Sequence, residues 1–271
     1  MKVIFLDFDN VLNGKDCTDW ISPDRCAPLF QQVDGHVGID PKQVQLLDQI
    51  TSATGAKVVF STSWRKMYDI DELKRFVEER GYKGGYVDPS DMMLDRTPSK
   101  MSLYDRGSEI RMWFDYHRDC VRDKSSEPVE SFVVLDDMPT AFGKARRDRQ
   151  VVCQINEGLT QKGVEDAIRI LGRPVTRVVN LHKEQYDVYC GRAGKGQDGY
   201  FGNPFKIENN DRWECLRKFQ QHFEERLRTE KGFKGRVEEL RGKRLGCFCA
   251  PKICHAEVYV EHLDGIPCQY D

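Results

Sequence analysis

The chain has 271 residues, enough for one large or two ordinary domains, and its 39% hydrophobic and 32% charged content is that of a folded, polar protein. No run approaches the roughly 18 apolar residues of a membrane span, and the first apolar stretch is too short and too soon followed by acids for a secretion signal. A net charge of −2 argues against a strong, general nucleic-acid binder, and ten scattered cysteines fit reduced thiols in a cytoplasm.

Lys2 to Phe8 carries Val3, Ile4, Phe5 and Leu6 in a row and predicts a buried strand, after which Asp7 and Asp9 stand two apart. Residues 13–39 show no sustained period and read as a long loop with room for one short helix. Asp40-Pro41 reads as an N-cap with Pro at the first helical position, Val44, Leu47 and Ile50 recur at helical spacing, and Gly55 closes the helix. Lys57 to Thr62 predicts a second strand. Ile70, Leu73, Phe76 and Val77 predict an amphipathic helix ending at Gly81, and Ile110, Trp113 and Phe114 mark another from Gly107 to Tyr116. Ser131 to Leu135 is a strand followed by Asp136 and Asp137, Val151 to Ile155 is a further strand, and a helix runs from Thr160 to Leu171.

Strands separated by helices predict parallel βαβ units in a doubly wound α/β sheet, with ligands bound outside the carboxyl ends of the strands. Asp7, Asp9, Thr62, Asp136 and Asp137 all fall at such ends and should converge. Several carboxylates in one crevice repel unless a cation lies between them, and an all-oxygen set suits Mg²⁺. One aspartate would then attack phosphorus while another moves a proton.

Together FLDFDNVLN, VVFSTSWR and FVVLDD resemble the first, second and fourth motifs of the haloacid dehalogenase (HAD)-like phosphatases. STSWR, RGSEIRMWF, VVLDD and NEGLT resemble a capless branch of that superfamily, seen with nucleic-acid repair enzymes and in phage and bacterial genomes. The resemblance spans residues 1–172 and implies a HAD-like Rossmannoid fold. It implies Asp7 as nucleophile, Asp9 as general acid and then base, and Thr62 as a phosphoryl ligand with Ser61 and Ser63 beside it. Asp136 and Asp137 would hold Mg²⁺ with Asp7 and the backbone carbonyl of Asp9. Asn10 replaces the usual Gly after the second Asp, and Asn tolerates left-handed backbone. For the cation of the third motif Arg106 fits best, Lys100 is the rival, and Arg65 is a further phosphate-binding candidate. The short insertion after the first motif leaves no room for a full cap, which implies an open site able to admit a large substrate.

Gly172-Arg173-Pro174 breaks the pattern and reads as the linker to a second, smaller α/β or α+β domain over 175–271. Its elements are short strands at VVNLHK and DVYCG, the Gly-rich loop GRAGKGQDGYFGNPF, a charged helix from Asp211 to Thr229, a strand at RLGCFC and a last helix starting near Cys254. Cys247, Cys249, Cys254 and His255 lie within nine residues. They suit a Zn²⁺ site of unusual spacing, a reactive Cys254 with lowered pKa at a helix start, or small buried thiols with a capping His. VVNLHK, YCGR, GNPF and CxCAPxxCH resemble a bacterial and phage domain family of unknown function, which implies no activity. Arg192, Asn203 and the Cys/His turn are candidates for a nucleotide or nucleotide-sugar site, the Gly-rich loop for a phosphate cradle. The basic cluster Lys231, Lys234, Arg236, Arg241, Lys243 and Arg244 reads as a solvated face or a nucleic-acid contact.

The whole reads as a two-domain cytoplasmic protein (host cytoplasm if phage-encoded) with no membrane partner. Its first domain would be a Mg²⁺-dependent phosphomonoesterase acting on a phosphorylated nucleotide, a nucleotide-derived metabolite or a nucleic-acid end. The alternatives are a nucleotide sensor without turnover, and a bifunctional enzyme whose C-terminal domain hydrolyses a glycosidic bond.

Overall fold

A computed structural model describes residues 1–14, 38–66, 68–87, 106–122, 127–139, 148–194, 196–207, 211–266 and 268. The apolar run at the N-terminus forms β1 (Lys2–Leu6), in which Val3, Ile4 and Leu6 have no solvent exposure. Apolar side chains on both faces of a strand require cover on both sides, the condition of a parallel sheet. β2 (Lys57–Phe60), β3 (Gly85–Tyr86), β4 (Ser131–Asp136) and β5 (Gln150–Val152) complete a sheet of order β3-β2-β1-β4-β5 with every neighbouring pair parallel. β1 is therefore central.

The helices form where the capping chemistry places them. α1 (Pro41–Thr54) starts at Asp40, whose carboxylate accepts from Lys42 N at 2.8 Å, and ends at Gly55 with φ 67°. α2 (Ile70–Glu78) has a reciprocal capping box between Asp69 and Glu72. α3 (Arg106–Arg122) outruns the predicted Gly107–Tyr116 at both ends, and α4 (Gln161–Leu171) begins after Thr160, which caps Gly163 N at 3.1 Å. On one sheet face Ile4, Leu6 and Phe8 share a core with Val44, Leu47 and Ile50 of α1 and Val164 and Ala167 of α4. On the other, Phe5 meets Trp113 and Phe114 of α3 at 5.1 and 5.5 Å between ring centroids. Each fully buried aliphatic or Phe side chain contributes about 1.5–3 kcal/mol, so both helical layers are held to the strand that carries the acids. The result is the doubly wound sheet that the alternation of elements predicts.

Contacts divide the chain into two compact units, Met1–Arg173 and Pro174–Asp271. The second contains β6 (Arg177–Asn180), β7 (Val188–Tyr189), α5 (Arg212–Thr229), α6 (Phe233–Glu238), β8 (Arg244–Cys247) and α7 (Glu257–Asp264). Its strands lie in the order β6-β8-β7, all parallel. Phe219, Phe223, Phe233, Leu245, Tyr259 and Leu263 fill its core, and buried Asp264 ties the entering chain by accepting from Thr176 N at 2.7 Å. The last helix starts at Glu257, not near Cys254. Glu257 N and Val258 N bond three residues back, to the carbonyls of Cys254 and His255, so a tight turn precedes the α-helix.

Candidate active site

Asp7 leaves the sheet directly from β1, its N–H donating to Leu135 O at 3.0 Å, while Ser61 N donates to Leu6 O at 2.7 Å. These bonds set the ends of the three central strands side by side. Phe8 turns inward against Phe60 and Trp64, at 5.5 and 5.2 Å, so its two acidic neighbours stay at the sheet end. Asn10 takes the left-handed conformation, φ 55°. Its side chain also donates to Asp137 Oδ2 at 2.8 Å and accepts from Asn156 N at 3.2 Å, so it links three segments of the site.

One carboxylate oxygen from each of Asp7, Asp136 and Asp137 lies within 4.8 Å of the others. Asp7 and Asp136 are buried. Arg106, at the first residue of α3, reaches into this group: Nη2 is 3.2 Å from Asp7 Oδ2 and Nε is 3.2 Å from Asp136 Oδ2. The approach to Asp136 Oδ2 is an ion pair without hydrogen-bond geometry, which leaves that buried oxygen without a donor. Burial pushes the Asp7 carboxyl up to about 7, against the pull of Arg106, with Asp136 and Asp9 adding to the rise. Asp136 is pushed up to about 6, again mainly by burial opposed by Arg106.

Asp9 points elsewhere. Its carboxylate receives the Trp64 indole N–H, 3.0 Å to Oδ1 and 3.1 Å to Oδ2, and an Asn13 amide contact at 3.5 Å. Burial raises its pKa above the usual range, while the Trp64 and Asn13 bonds hold it down. Thr62 is fully buried, its hydroxyl accepting from Trp64 N at 3.3 Å, between buried Ser61 and half-buried Ser63. Arg65 is committed differently from the expectation. Its guanidinium donates to Thr62 O at 2.9 Å and pairs with Glu109, so it braces the turn after β2. Lys100 lies outside the described residues, as does most of the loop over 13–39.

Trp64, Asn13 and Glu109 join the site without a prediction from the sequence. Trp64 lies inside VVFSTSWR and Asn13 ends FLDFDNVLN, so an indole or amide within a phosphatase-like motif is the signal for them. Glu109 pairs with both Arg65 and Arg106, the latter at 3.6 Å, and helical spacing from Arg106 is its signal.

In the second unit the Sγ atoms of Cys247, Cys249 and Cys254 lie within 4.8 Å of one another. His255 is outside that group, although its Nδ1 lies 3.8 Å from Cys254 Sγ; its Nε2 is 3.2 Å from Phe201 O and its ring 4.8 Å from that of Phe219. Burial lowers His255 to about 4. Cys254, not at a helix start, is shifted upward by the neighbouring thiols and by burial; Cys249 is the thiol shifted down, by hydrogen bonds from Cys247 and Cys254. Arg192 and Asn203 both line a cavity of about 690 Å³, yet each is engaged. Arg192 donates to the carbonyls of Asn203 and Phe205, while Asn203 Oδ1 accepts from Phe205 N at 2.8 Å. The Gly-rich loop spends amides internally, Gly194 and Gln197 on each other and Gly202 on Gly199, which works against a phosphate cradle. In the basic cluster, Arg241 pairs with Glu238, Arg244 pairs with Asp187, and Arg236 stacks 3.9 Å over Tyr200.

The first unit is a Rossmannoid α/β domain of HAD type. The family model for the HAD domain in Swiss Army Knife RNA repair proteins matches residues 3–164, and the chain belongs to that family, whose HAD domain implies a hydrolase. Residues 175–265 match a domain of unknown function, DUF4326. The chain is similar to the uncharacterized 12.4 kDa protein in the nrdA-td intergenic region of Enterobacteria phage T4, 34% identical over 82 residues, covering 30% of this chain and 71% of that protein. No solved structure matches. No helix among the described residues is long and apolar enough to cross a membrane.

Proposed function

We propose that residues 1–172 form a Mg²⁺-dependent phosphomonoesterase that works through a phosphorylated Asp7. The observation that carries this reading is the convergence of Asp7, Asp136 and Asp137 with one bridging cation, Arg106, at the carboxyl end of the central strands. The donor set fits a hard cation: Asp7 and Asp136 share one guanidinium with Asp137 beside them, Asp136 Oδ2 has no hydrogen-bond donor, and Asp7 needs more positive charge to ionise below pH 7. Asp7, Asp136, Asp137 and the backbone carbonyl of Asp9 would hold Mg²⁺, which when bound supplies charge neutralisation for the phosphoryl oxygens.

Asp7 attacks phosphorus and the bond to the leaving oxygen breaks. Asp9 gives that oxygen its proton, then takes one from the water that cleaves the aspartyl-phosphate and frees phosphate. Trp64 aims the Asp9 carboxylate, Thr62 and Ser61 offer hydroxyls to the phosphoryl group, and Arg106 balances the charge on Asp7. The family description favours a phosphate at an RNA end over a free nucleotide or a nucleotide-derived metabolite. Phosphate release from 3′- and 5′-phosphorylated RNA and DNA oligonucleotides, nucleoside monophosphates and sugar phosphates, with Mg²⁺ and with chelator, tests both the reaction and the substrate class. Release from the oligonucleotides alone supports the RNA-end reading. Release from small sugar phosphates alone contradicts it.

A further inference from the structure

The second unit holds a feature that the phosphatase reading does not use. The parallel strands β6, β8 and β7 all open onto one cavity at their carboxyl ends, lined by Leu181 and His182 after β6, Gly191 to Gly194 after β7, and Cys247 to Cys249 at the end of β8. Cys247 ends β8, the chain bends at Phe248, which is 53% exposed at the cavity wall, and Cys249 comes to the side of Cys247; the turn closed by Lys252 N to Cys249 O then brings Cys254 to them. None of the eight described cysteines is in a disulfide, and this trio converges whereas buried Cys190 and Cys215 join no such group.

We infer that Cys247, Cys249 and Cys254 form a three-thiolate zinc site whose fourth coordination position opens into this cavity. Three sulfurs at about 2.3 Å from a tetrahedral ion stand about 3.8 Å apart, inside the 4.8 Å limit within which these three lie. Thiolates select soft or borderline ions, and Zn²⁺ takes them without redox chemistry. Among the described residues no fourth protein ligand joins the trio, the arrangement of zinc sites that keep a position for water or substrate. His255 lines the same cavity with Nδ1 3.8 Å from Cys254 Sγ and Nε2 on Phe201 O, yet its nitrogens do not fall within 4.8 Å of all three sulfurs. Two of the three thiols, Cys247 and Cys249, line the cavity, and the Arg212 guanidinium hydrogen-bonds Cys249. Arg212 and Arg192 also line the cavity and no carboxylate does among the described residues, so the ligand that reaches the ion there is anionic. This site does not depend on the chemistry of the first unit.

The test is metal analysis of the full chain purified under reducing conditions, followed by replacement with Co²⁺. One zinc per chain and intense thiolate-to-cobalt charge-transfer bands are expected, with loss of both in Cys249→Ser and Cys254→Ser. Both should persist in Cys215→Ser, a cavity thiol outside the trio, and in Asp7→Asn. Imidazole, a small probe for an open position, should shift the cobalt d–d bands. Wild-type protein without metal and without a cobalt–thiolate band, iron or copper in place of zinc, or zinc retained in Cys249→Ser would overturn the site. Bands indifferent to imidazole would overturn the open position. The wild-type metal content and spectrum decide the question even where a cysteine variant does not fold.

Discussion

Replacing Arg106 by Met keeps a long side chain but removes the cation that lies 3.2 Å from both Asp7 and Asp136. The side chains of Arg106, Asp7 and Asp136 are 10%, 5% and 0% exposed, so solvent screens these pairs little. Breaking a buried pair by removing one partner costs about 3–5 kcal/mol. For a unit of this size 1 kcal/mol moves Tm by about 2–4 °C, which gives a loss of roughly 6–20 °C in metal-free protein. The loss depends on pH in a definite direction. Asp7 and Asp136 stand at about 7 and about 6 even with Arg106 present, above their ordinary 3.8, and Arg106 lowers both. Without it the folded protein holds those protons to still higher pH. At pH 5 a proton on each carboxyl replaces the missing charge, and at pH 8 the folded state must carry them ionised. Thermal unfolding by circular dichroism in chelator should therefore show a large deficit at pH 8 that shrinks at pH 5, with Mg²⁺ restoring part of it at pH 8. A deficit below about 1 kcal/mol, the range of an exposed pair, or one independent of pH would refute the buried-charge reasoning.

The same linkage acts in the wild type: between 3.8 and about 7 the folded chain keeps a proton on Asp7 that the unfolded chain has lost, so metal-free stability should fall as pH rises from 4 to 7. Chelated protein melted across that range checks this, and saturating Mg²⁺ should flatten the slope. Trp64→Phe keeps the packing on Phe8, Tyr68 and Phe76 but deletes the N–H that lowers the Asp9 pKa, so the pH–rate profile for phosphate release should move to higher pH. An unmoved profile in a folded variant would remove Trp64 from the acid–base apparatus. Asn10→Ala should destabilise more than Asn10→Gly by about 1–2 kcal/mol in urea unfolding, because both lose the bond to Asp137 but only Ala is strained at φ 55°.

The first unit was legible because its signals are local. A continuous apolar strand, Asp40-Pro41, and acids following two apolar runs name the central strands and one helix, and parallel topology then forces the acids together. β3 escaped because two residues, Gly85 and Tyr86, carry no period, and α6 because Phe233 to Glu238 is a short polar segment buried at two positions. That Arg106 and not Arg65 reaches the carboxylates is nothing spacing decides. Glu109 on the next turn of α3 pairs with both, but buried Arg65 is also spent on Thr62 O, whereas the partly buried Arg106 extends to Asp7 and Asp136. The commitments of Arg192 and Asn203 were likewise invisible, since each bonds to backbone that the sequence does not locate.

The central claim is that Asp7 carries the phosphoryl group, and the most direct measurement is phosphate release by wild type and Asp7→Asn with Mg²⁺ and with chelator. Asn is nearly isosteric with Asp but lacks the nucleophilic oxygen charge, and the substitution relieves rather than adds charge repulsion, so the variant should fold. The account predicts Mg²⁺-dependent release in the wild type and none above background in the variant. Release that survives Asp7→Asn would contradict it.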